Sequence, residues 1–289
     1  MIQVYKMGMS YYQNKIDKNS GMTEVKIIKE ELKNIKTDKK VLVIINGIRD
    51  EIDNSLLNII KNYDLSIFIM SDSIALETSL DIMNACDCVL HQSPYLKFNE
   101  IKTSQAYSYV PELFYKYCKK LLSQGKINND KIKSSKIYFG GNNKNRDDKF
   151  KAYKIGETPS IFTRYKLYET GEDSRIDHKE YLQELSNFKY SLVICRKDYR
   201  DIGWITSRYY EAIALDNIPF IDNEYDVDNF VVSESSILRV NDYETLMKAC
   251  EYLIHNTSLA ANILRELKTQ AECSSNLFRF LVEEIIKNS

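Results

Sequence analysis

Arg208 and Glu211 are the pair of residues in this chain that most strongly indicates a ligand site. They lie three positions apart in a segment with a helical pattern over 205–216, so their side chains share one face of the helix. An apolar strand, predicted over 190–196, and a loop dense in charge precede this helix. An arginine can grip a diphosphate, and a carboxylate can accept hydrogen bonds from both hydroxyls of a ribose. The pattern predicts a nucleotide site, with an exposed ion pair as the alternative that explains each residue individually.

A second basic segment, SKIYFGGNNKNRDDKF over 135–150, lies in the same half of the chain. A strand predicted over 136–139 ends at Gly140 and Gly141, and a polar loop with Lys144 and Arg146 then opens a helix. Adjacent glycines let a backbone approach a phosphate, and the N–H groups at a helix start favour anions. Alone, this segment is better explained as an ordinary strand-to-helix turn. Together with Arg208 and Glu211 it favours an anion site, and six of the ten arginines lie between 146 and 208.

Composition restricts the classes of protein to which the chain can belong. Its 289 residues suit two ordinary domains or one large one, and 44% hydrophobic content is enough for packed cores. A net charge of -1 gives no global attraction to nucleic acid or membrane. The sequence has no apolar run long enough to span a membrane and no signal-type segment at its start. Six scattered cysteines and three distant histidines favour free cytosolic thiols over a disulfide framework or a metal site.

The hydrophobic pattern alternates strands with helices, which predicts an α/β protein with parallel sheets. The predicted strands cover 2–7, 40–45, 65–70, 88–92, 106–110, 136–139, 160–163, 190–196, 218–221 and 236–240. The predicted helices cover 24–36, 53–62, 74–85, 111–124, 179–187 and 205–216. Residues 242–285 are predicted to be helical, with a break near 256–258.

The polar segment QGKINNDKIKSS over 124–135 lacks periodicity and marks a domain boundary. We expect two Rossmann-like doubly wound domains, 1–130 on the acceptor side and 134–270 on the nucleotide side. A C-terminal helix within 271–289 is expected to pack back on the first domain. Two such domains place a ligand cleft between them, at the carboxyl ends of their strands.

The stretches IYFGG, SLVICRKDY and SRYYEAIALDNIPFIDNEYD resemble the nucleotide-binding half of a GT-B glycosyltransferase, most of all the phage DNA β-glucosyltransferase family. That family has a tyrosine-glycine-glycine turn followed by basic residues, and an Arg-x-x-Glu helix. Here the turn corresponds to Gly140 and Gly141, with Phe139 as an extra residue after the tyrosine. The helix corresponds to Arg208 and Glu211. The resemblance covers most of residues 136–270.

The resemblance implies that UDP-glucose is the donor substrate and leaves open whether Mg²⁺ or Mn²⁺ assists its diphosphate. It places Gly8, Lys144, Arg146 and Tyr199 beside the donor, together with the residues already named. The D-x-D at 226–228 is interpreted as a surface turn rather than a metal site, and no metal ligands are assigned.

In the first half, the strand LSIFIMSD resembles the family's strand that delivers the catalytic aspartate, which implies that role for Asp72. A helix N-cap is the alternative for this residue. Glu24 is a candidate for a second acidic contact. The candidates for contacting a DNA backbone are lysines around the boundary, for which a solvated helix face explains the pattern equally well: Lys116, Lys119, Lys120 and Lys126.

The resemblance implies inverting transfer of a sugar, with glucose expected, from a UDP-sugar to a hydroxymethylated base in phage DNA. Double-stranded DNA is then the partner, and the cytoplasm of the infected cell is the place of action. A monomer is favoured, although the sequence does not fix the oligomeric state. Two alternatives stay open: a GT-B enzyme acting on a glycan, small molecule or protein, and an inactive GT-B-like protein that binds nucleotide or DNA.

Overall fold

The structure is a computed structural model, in which the chain forms two compact units. The first comprises 1–113 and 274–289, and the second comprises 114–273. The residues that the structure describes are 1–7, 18–46, 54–71, 75–129, 132–142, 146–166 and 177–289. The domain bounds drawn from the sequence stay a prediction.

Ten strands alternate with helices along the described residues, as the hydrophobic pattern predicts. The strands are β1 (Ile2–Lys6), β2 (Val41–Ile45), β3 (Leu65–Met70), β4 (Cys88–His91), β5 (Ser104–Tyr107), β6 (Ser134–Asn142), β7 (Ile161–Lys166), β8 (Phe188–Val193), β9 (Ile218–Asp222) and β10 (Arg239–Val240). The helices are α1 (Lys18–Leu32), α2 (Asn54–Ile60), α3 (Ala75–Thr78), α4 (Leu80–Ala85), α5 (Val110–Ser123), α6 (Asp147–Ala152), α7 (His178–Leu185), α8 (Lys197–Arg200), α9 (Arg208–Ala214), α10 (Tyr243–His255), α11 (Thr257–Ser275) and α12 (Leu277–Asn288).

The first unit is built on a parallel sheet whose strands follow chain order, β1-β2-β3-β4-β5. Every residue of β2, β3 and β4 is buried. Their nearly continuous apolar runs fit strands that helices cover on both faces. The terminal helix α12 belongs to this unit and buries Phe278, Val282 and Ile286.

The second unit has a parallel sheet with a different order, β10-β9-β8-β6-β7. Its first strand in the chain, β6, lies between β7 and β8, so the strand order reverses at β6 and β8. In open parallel sheets, such a switch point opens a crevice at the carboxyl ends of the two strands, where ligands bind. The predicted α/β class with two parallel sheets is confirmed.

Several element bounds differ from those expected. The strand β6 does not end at Phe139 but continues through Gly140 and Gly141, which pair with Arg164 and Tyr165 of β7. The helix expected over 74–85 is two short helices that flank Ser79, and the strand expected over 106–110 is β5, after which α5 begins at Val110. The C-terminal helical region breaks near residue 256 as expected and again at Asn276. Within the described ranges, no helix is long and apolar enough to cross a membrane.

Candidate functional site

Three arginines come together at the switch point of the second sheet. Arg146 and Arg196 are the N-cap residues of α6 and α8, which follow the carboxyl ends of β6 and β8. Arg208 is the first residue of α9. Burial lowers the pKa of Arg146 to about 10, and the positive charges of Arg208 and Arg196 add to this effect. Arg208 and Arg196 both act on Arg146, so the three guanidinium groups form one arginine cluster, which is still charged at neutral pH.

Arg208 is anchored to the strand β6 beneath it. Its Nη1 donates a hydrogen bond to the carbonyl oxygen of Gly140, and its guanidinium lies 5.5 Å from the centre of the Tyr181 ring. Burial alone would lower the pKa of Arg208, but the neighbouring Tyr181 and Glu211 raise it overall. Arg208 is therefore a fixed cation at the carboxyl end of β6.

The glycine pair serves close packing inside the strand. A Cβ at Gly140 would lie 2.7 Å from Cε2 of Tyr181 and 2.9 Å from Cε1 of Tyr138. A Cβ at Gly141 would lie 2.9 Å from Cζ of Phe139. The sequence interpretation of these glycines as the turn that ends the strand was wrong, because β6 continues to Asn142. The surrounding aromatic rings leave no room for a side chain at either position.

Glu211 is buried on the same helix as Arg208, with 3% of its surface exposed. Its Oε1 accepts hydrogen bonds from Nε2 of His178 and from Oγ of Ser207, both at 3.0 Å. Burial raises the pKa of Glu211, but hydrogen bonding and charge from His178, with the charge of Arg208, lower it overall. An exposed ion pair no longer explains this helix, because Glu211 is an internal carboxylate.

Tyr199 lies on α8, in the loop that follows β8. The guanidinium of Arg196 is 4.8 Å from the centre of its ring, and the buried ring of Trp204 is 6.2 Å away. Nε of Arg196 also donates to Oδ1 of Asp198 at 3.0 Å. These contacts hold Tyr199 and Arg196 together.

A network of charged side chains ties α6, α8 and β9 together next to the arginine cluster. Nζ of Lys149 lies 3.0 Å from Oδ2 of Asp222 and 3.2 Å from Oε2 of Glu224. The hydroxyl of Tyr153 donates to the same oxygen of Asp222 at 2.6 Å, and Arg200 bridges Glu224 and Asp148. The network therefore fixes the starts of α6 and α8, which carry Arg146 and Arg196.

Asp226, the first residue of the D-x-D, has a structural role. It is 1% exposed and accepts hydrogen bonds from the backbone N–H groups of Phe230, Val231 and Val232, at 2.7 to 3.0 Å. Nη1 of Arg239 lies 3.3 Å from its Oδ2. The expected surface turn is therefore a buried loop anchor at this position. Among the residues that the structure describes, no group of three His, Cys, Asp or Glu side chains could hold a metal ion.

Only some of the site residues predicted outside the arginine cluster lie among the residues that the structure describes. Glu24 on α1 forms an ion pair with Lys6, at 3.1 Å between Oε2 and Nζ, at the end of β1. Asp72 and Gly8 lie outside the described residues, as does Lys144 of the second unit. Of the lysines proposed for DNA contact, three are exposed and Lys116 is partly buried. Lys116, Lys119 and Lys120 lie on one helix, α5.

Sequence reasoning did not assign two residues of the site. Arg196 is one of the six arginines between 146 and 208, and His178 is one of the three distant histidines, but the sequence assigns neither of them a role. Each has a local signal. Arg196 is the first residue after the buried run that extends β8 through Ile194 and Cys195, and His178 begins a helix with an aromatic residue, Tyr181, one turn later. The partner that gives His178 its importance, Glu211, lies 33 positions away in the chain.

Several solved glycosyltransferase structures have a similar fold. T4 phage β-glucosyltransferase in complex with UDP and Mn²⁺ matches with a TM-score of 0.60 and 13% identity over 99% of both chains. A mutant of the same enzyme bound to UDP-glucose matches with a TM-score of 0.61 and 15% sequence identity, again over 99% of both chains. The UDP-forming α,α-trehalose-phosphate synthase of Burkholderia vietnamiensis matches with a TM-score of 0.51 and 8% sequence identity, over 93% of this chain and 78% of that chain.

The sequence itself is far from known families. No protein-family model matches the chain, and no curated protein matches it at the sequence level. At identities of 8 to 15%, the likeness to the solved structures concerns the fold. The resemblance seen in the sequence is confirmed at that level, and the chain has the GT-B fold of the phage β-glucosyltransferase.

Proposed function

We propose that this protein is an inverting glycosyltransferase that moves a sugar, with glucose expected, from a UDP-sugar to a hydroxymethylated base in double-stranded DNA. The observation that carries the proposal is the convergence of Arg146, Arg196 and Arg208 at the switch point of the second sheet. The ionised, buried Glu211 lies on the same helix as Arg208. A cluster of this kind suits a nucleoside diphosphate.

The arginine cluster supplies both binding and catalysis in this proposal. The pKa of Arg146 is lowered first by burial and then by the positive charges of Arg208 and Arg196, and a bound diphosphate would offset the effect of those charges. As the bond between the sugar and the diphosphate breaks, negative charge grows on the leaving oxygen. The arginines then stabilise the transition state more than the bound substrate, which is the condition for accelerating the reaction.

UDP-glucose is the donor that the structural neighbours favour. T4 phage β-glucosyltransferase has been solved with UDP and with UDP-glucose, and one of these complexes contains Mn²⁺. Within the second unit, we propose that the three arginines neutralise charge on the diphosphate, with or without a divalent ion. Glu211 would accept hydrogen bonds from the ribose hydroxyls and mainly aid binding.

A DNA acceptor is supported by the extent of the match. A β-glucosyltransferase described as a DNA-modifying enzyme is matched over 99% of its chain, whereas the trehalose-phosphate synthase is matched over 78%. Lys119, Lys120 and Lys126 are exposed and are proposed to contact DNA phosphates. Enzymes that modify a base flip it out of the duplex. With phage DNA as the acceptor, the reaction takes place in the cytoplasm of the infected cell.

Asp72 is the proposed general base, on the strength of the sequence resemblance. An aspartate is ionised at neutral pH and can accept the proton of the hydroxymethyl group as its oxygen attacks the anomeric carbon. A new bond to the sugar forms on one face while the bond to the diphosphate breaks on the other, which inverts the configuration. UDP leaves with the electron pair of the broken bond.

Mass spectrometry of nucleosides tests the proposal. Duplex DNA with hydroxymethylated bases is incubated with a panel of UDP-sugars and then digested. We expect a hexose adduct on the modified base, most abundant with UDP-glucose, and none on unmodified DNA. Transfer to a glycan or small molecule, with no adduct on any DNA, would favour the alternative acceptor class. UDP binding without any transfer or hydrolysis would instead favour an inactive binding protein.

A further inference from the structure

His178 is a titratable side chain that the proposed chemistry does not use, yet it contacts the proposed site directly. It is the first residue of α7, where Asp177 caps the helix by accepting a hydrogen bond from the backbone N–H of Lys179 at 2.7 Å. Its Nε2 lies 3.0 Å from Oε1 of Glu211. The side chains of both residues are largely buried.

Three aromatic rings hold the imidazole of His178 in place. It is nearly parallel to the rings of Tyr117 and Tyr181, each with a centroid 6.0 Å away, at interplanar angles of 8° and 13°. The ring of Phe114 meets it edge-on at 5.8 Å. Contacts from both α5 and α7 therefore orient Nε2 toward Glu211.

The direction of the hydrogen bond follows from the charge of Glu211. The carboxyl group is ionised, because its pKa is lowered overall despite burial. An ionised carboxylate only accepts, so Nε2 must carry a proton, which is true of one neutral tautomer and of the cation. Ser207 also donates to Oε1. Both hydrogen bonds fall on the same oxygen, which leaves Oε2 to receive a ligand.

We propose that His178 is a positioning residue that sets the preference of the site for a ribonucleotide over a deoxyribonucleotide. By holding Oε1, it orients the Glu211 carboxylate so that Oε2 accepts hydrogen bonds from the ribose hydroxyls. This inference rests on the proposed donor site and adds a determinant of its specificity. It differs from a packing role, in which the ring of His178 would matter and its N–H would not.

Two substitutions separate the N–H of His178 from its ring. His178→Gln retains a donor near the position of Nε2 but loses the aromatic ring, whereas His178→Phe retains the ring and loses the donor. The affinities of the wild type and both variants for UDP and 2′-deoxy-UDP are measured by calorimetry. A thermal melt of each variant checks that it is folded.

We expect the wild type to bind UDP about tenfold or more tightly than 2′-deoxy-UDP, as for a hydrogen bond to a charged group. The ratio of the affinity for UDP to the affinity for 2′-deoxy-UDP should fall to about two or less in His178→Phe. It should stay near the wild-type value in His178→Gln. Retention of the ratio in His178→Phe, or its loss in both variants, would overturn the inference. A wild type that binds UDP without preferring it to 2′-deoxy-UDP would also overturn it while leaving the donor site standing. No UDP binding by the wild type would instead refute the proposed function itself.

Discussion

The two units share the same strand chemistry but arrange it differently. In both, buried parallel strands end in polar residues at the carboxyl edge of the sheet. The first sheet follows chain order, β1 to β5, whereas the second reverses at β6 and β8. That reversal lets the starts of α6 and α8 gather positive charge around the end of β6. Strand order, rather than strand composition, thus accounts for where we propose the anion site.

Charge at the two edges differs accordingly. At the first edge, Lys6 is paired with Glu24, and burial lowers the pKa of His91 to about 4, so that histidine is neutral at pH 7. Asn46 accepts hydrogen bonds from the backbone N–H and the hydroxyl of Ser71 at 2.6 and 2.9 Å. These described groups carry little net charge, whereas the second edge has three arginines near the end of β6, with Arg208 and Arg196 both acting on Arg146. A diphosphate therefore suits the second unit.

Asp72→Asn should produce the largest effect, because it removes the base proposed in the first unit without changing the donor site proposed in the second. We expect transfer to fall by about 10²–10⁴-fold, the usual contribution of a general base. The affinity for UDP should stay at the wild-type value. Quenched-flow assays of transfer and calorimetry with UDP measure the two effects, and near-normal transfer would refute the role of Asp72.

Arg208→Ala should produce the next largest effect, on binding itself. Loss of a hydrogen bond to a charged group costs about 1.5–3 kcal/mol, so UDP should bind roughly 10- to 100-fold more weakly. The matched control is Arg279→Ala in the first unit, where Arg279 forms a partly exposed ion pair with Glu283. The control should leave UDP affinity unchanged. Equal effects of the two substitutions on calorimetric affinity would contradict the assignment of the site.

Gly140→Ala should destabilise the second unit by about 1–3 kcal/mol, the usual cost of overpacking. The new Cβ would clash with the rings of Tyr181 and Tyr138 and displace the carbonyl group that anchors Arg208. Urea denaturation and UDP titration report the two consequences. The stabilities of Gly140→Ala and wild type would agree if the strand had room for a side chain.

Lys119→Ala and Lys126→Ala should have smaller effects, on DNA binding alone. Removing a lysine that binds one phosphate should reduce the slope of log affinity against log salt by about 0.9. Affinity should weaken equally for hydroxymethylated and unmodified duplexes, because phosphate contacts carry no sequence information. Fluorescence anisotropy over a salt series measures both quantities. An unchanged slope in the double variant would remove these lysines from the DNA-binding surface.

Glu211→Gln should produce the smallest effect, on the pH dependence of stability. The pKa of Glu211 is lowered in the folded state, where His178, Ser207, Arg208, Tyr181 and Cys118 surround it. Its charge therefore contributes stability above the unfolded-state pKa of about 4.3, and this is lost as pH falls through the folded-state value. Urea melts between pH 7 and 3 should show a steeper loss for wild type than for Glu211→Gln. If the stabilities of wild type and Glu211→Gln changed equally with pH, Glu211 would not be a buried carboxylate with a lowered pKa.

The sequence predicts most of the fold because the strands carry their own signal. Runs such as those of β2 and β3 are apolar throughout, and such runs belong to covered parallel strands. The glycine pair was misread because Gly140 and Gly141 look like a turn locally. The ring that leaves no room for a side chain at Gly140 belongs to Tyr181, which lies on α7, 41 positions later in the chain.

The site was predictable only in part, for the same physical reason. Arg208 and Glu211 were visible because one turn of a helix brings them together. The pairing of Glu211 with His178 depends on the packing of α7 against α9, which no local pattern encodes. The burial of Asp226 likewise depends on a loop folding back so that its backbone N–H groups reach the carboxylate.

Calorimetric titration of the wild type with UDP and with uridine shows whether the arginine cluster binds a diphosphate. If the three arginines bind a diphosphate, UDP should bind at least about 100-fold more tightly than uridine, since several charge-assisted hydrogen bonds are at stake. The advantage should shrink in Arg146→Ala, Arg196→Ala and Arg208→Ala. Equal affinities for UDP and uridine, or an advantage that survives all three substitutions, would contradict a diphosphate site at the switch point of the second sheet.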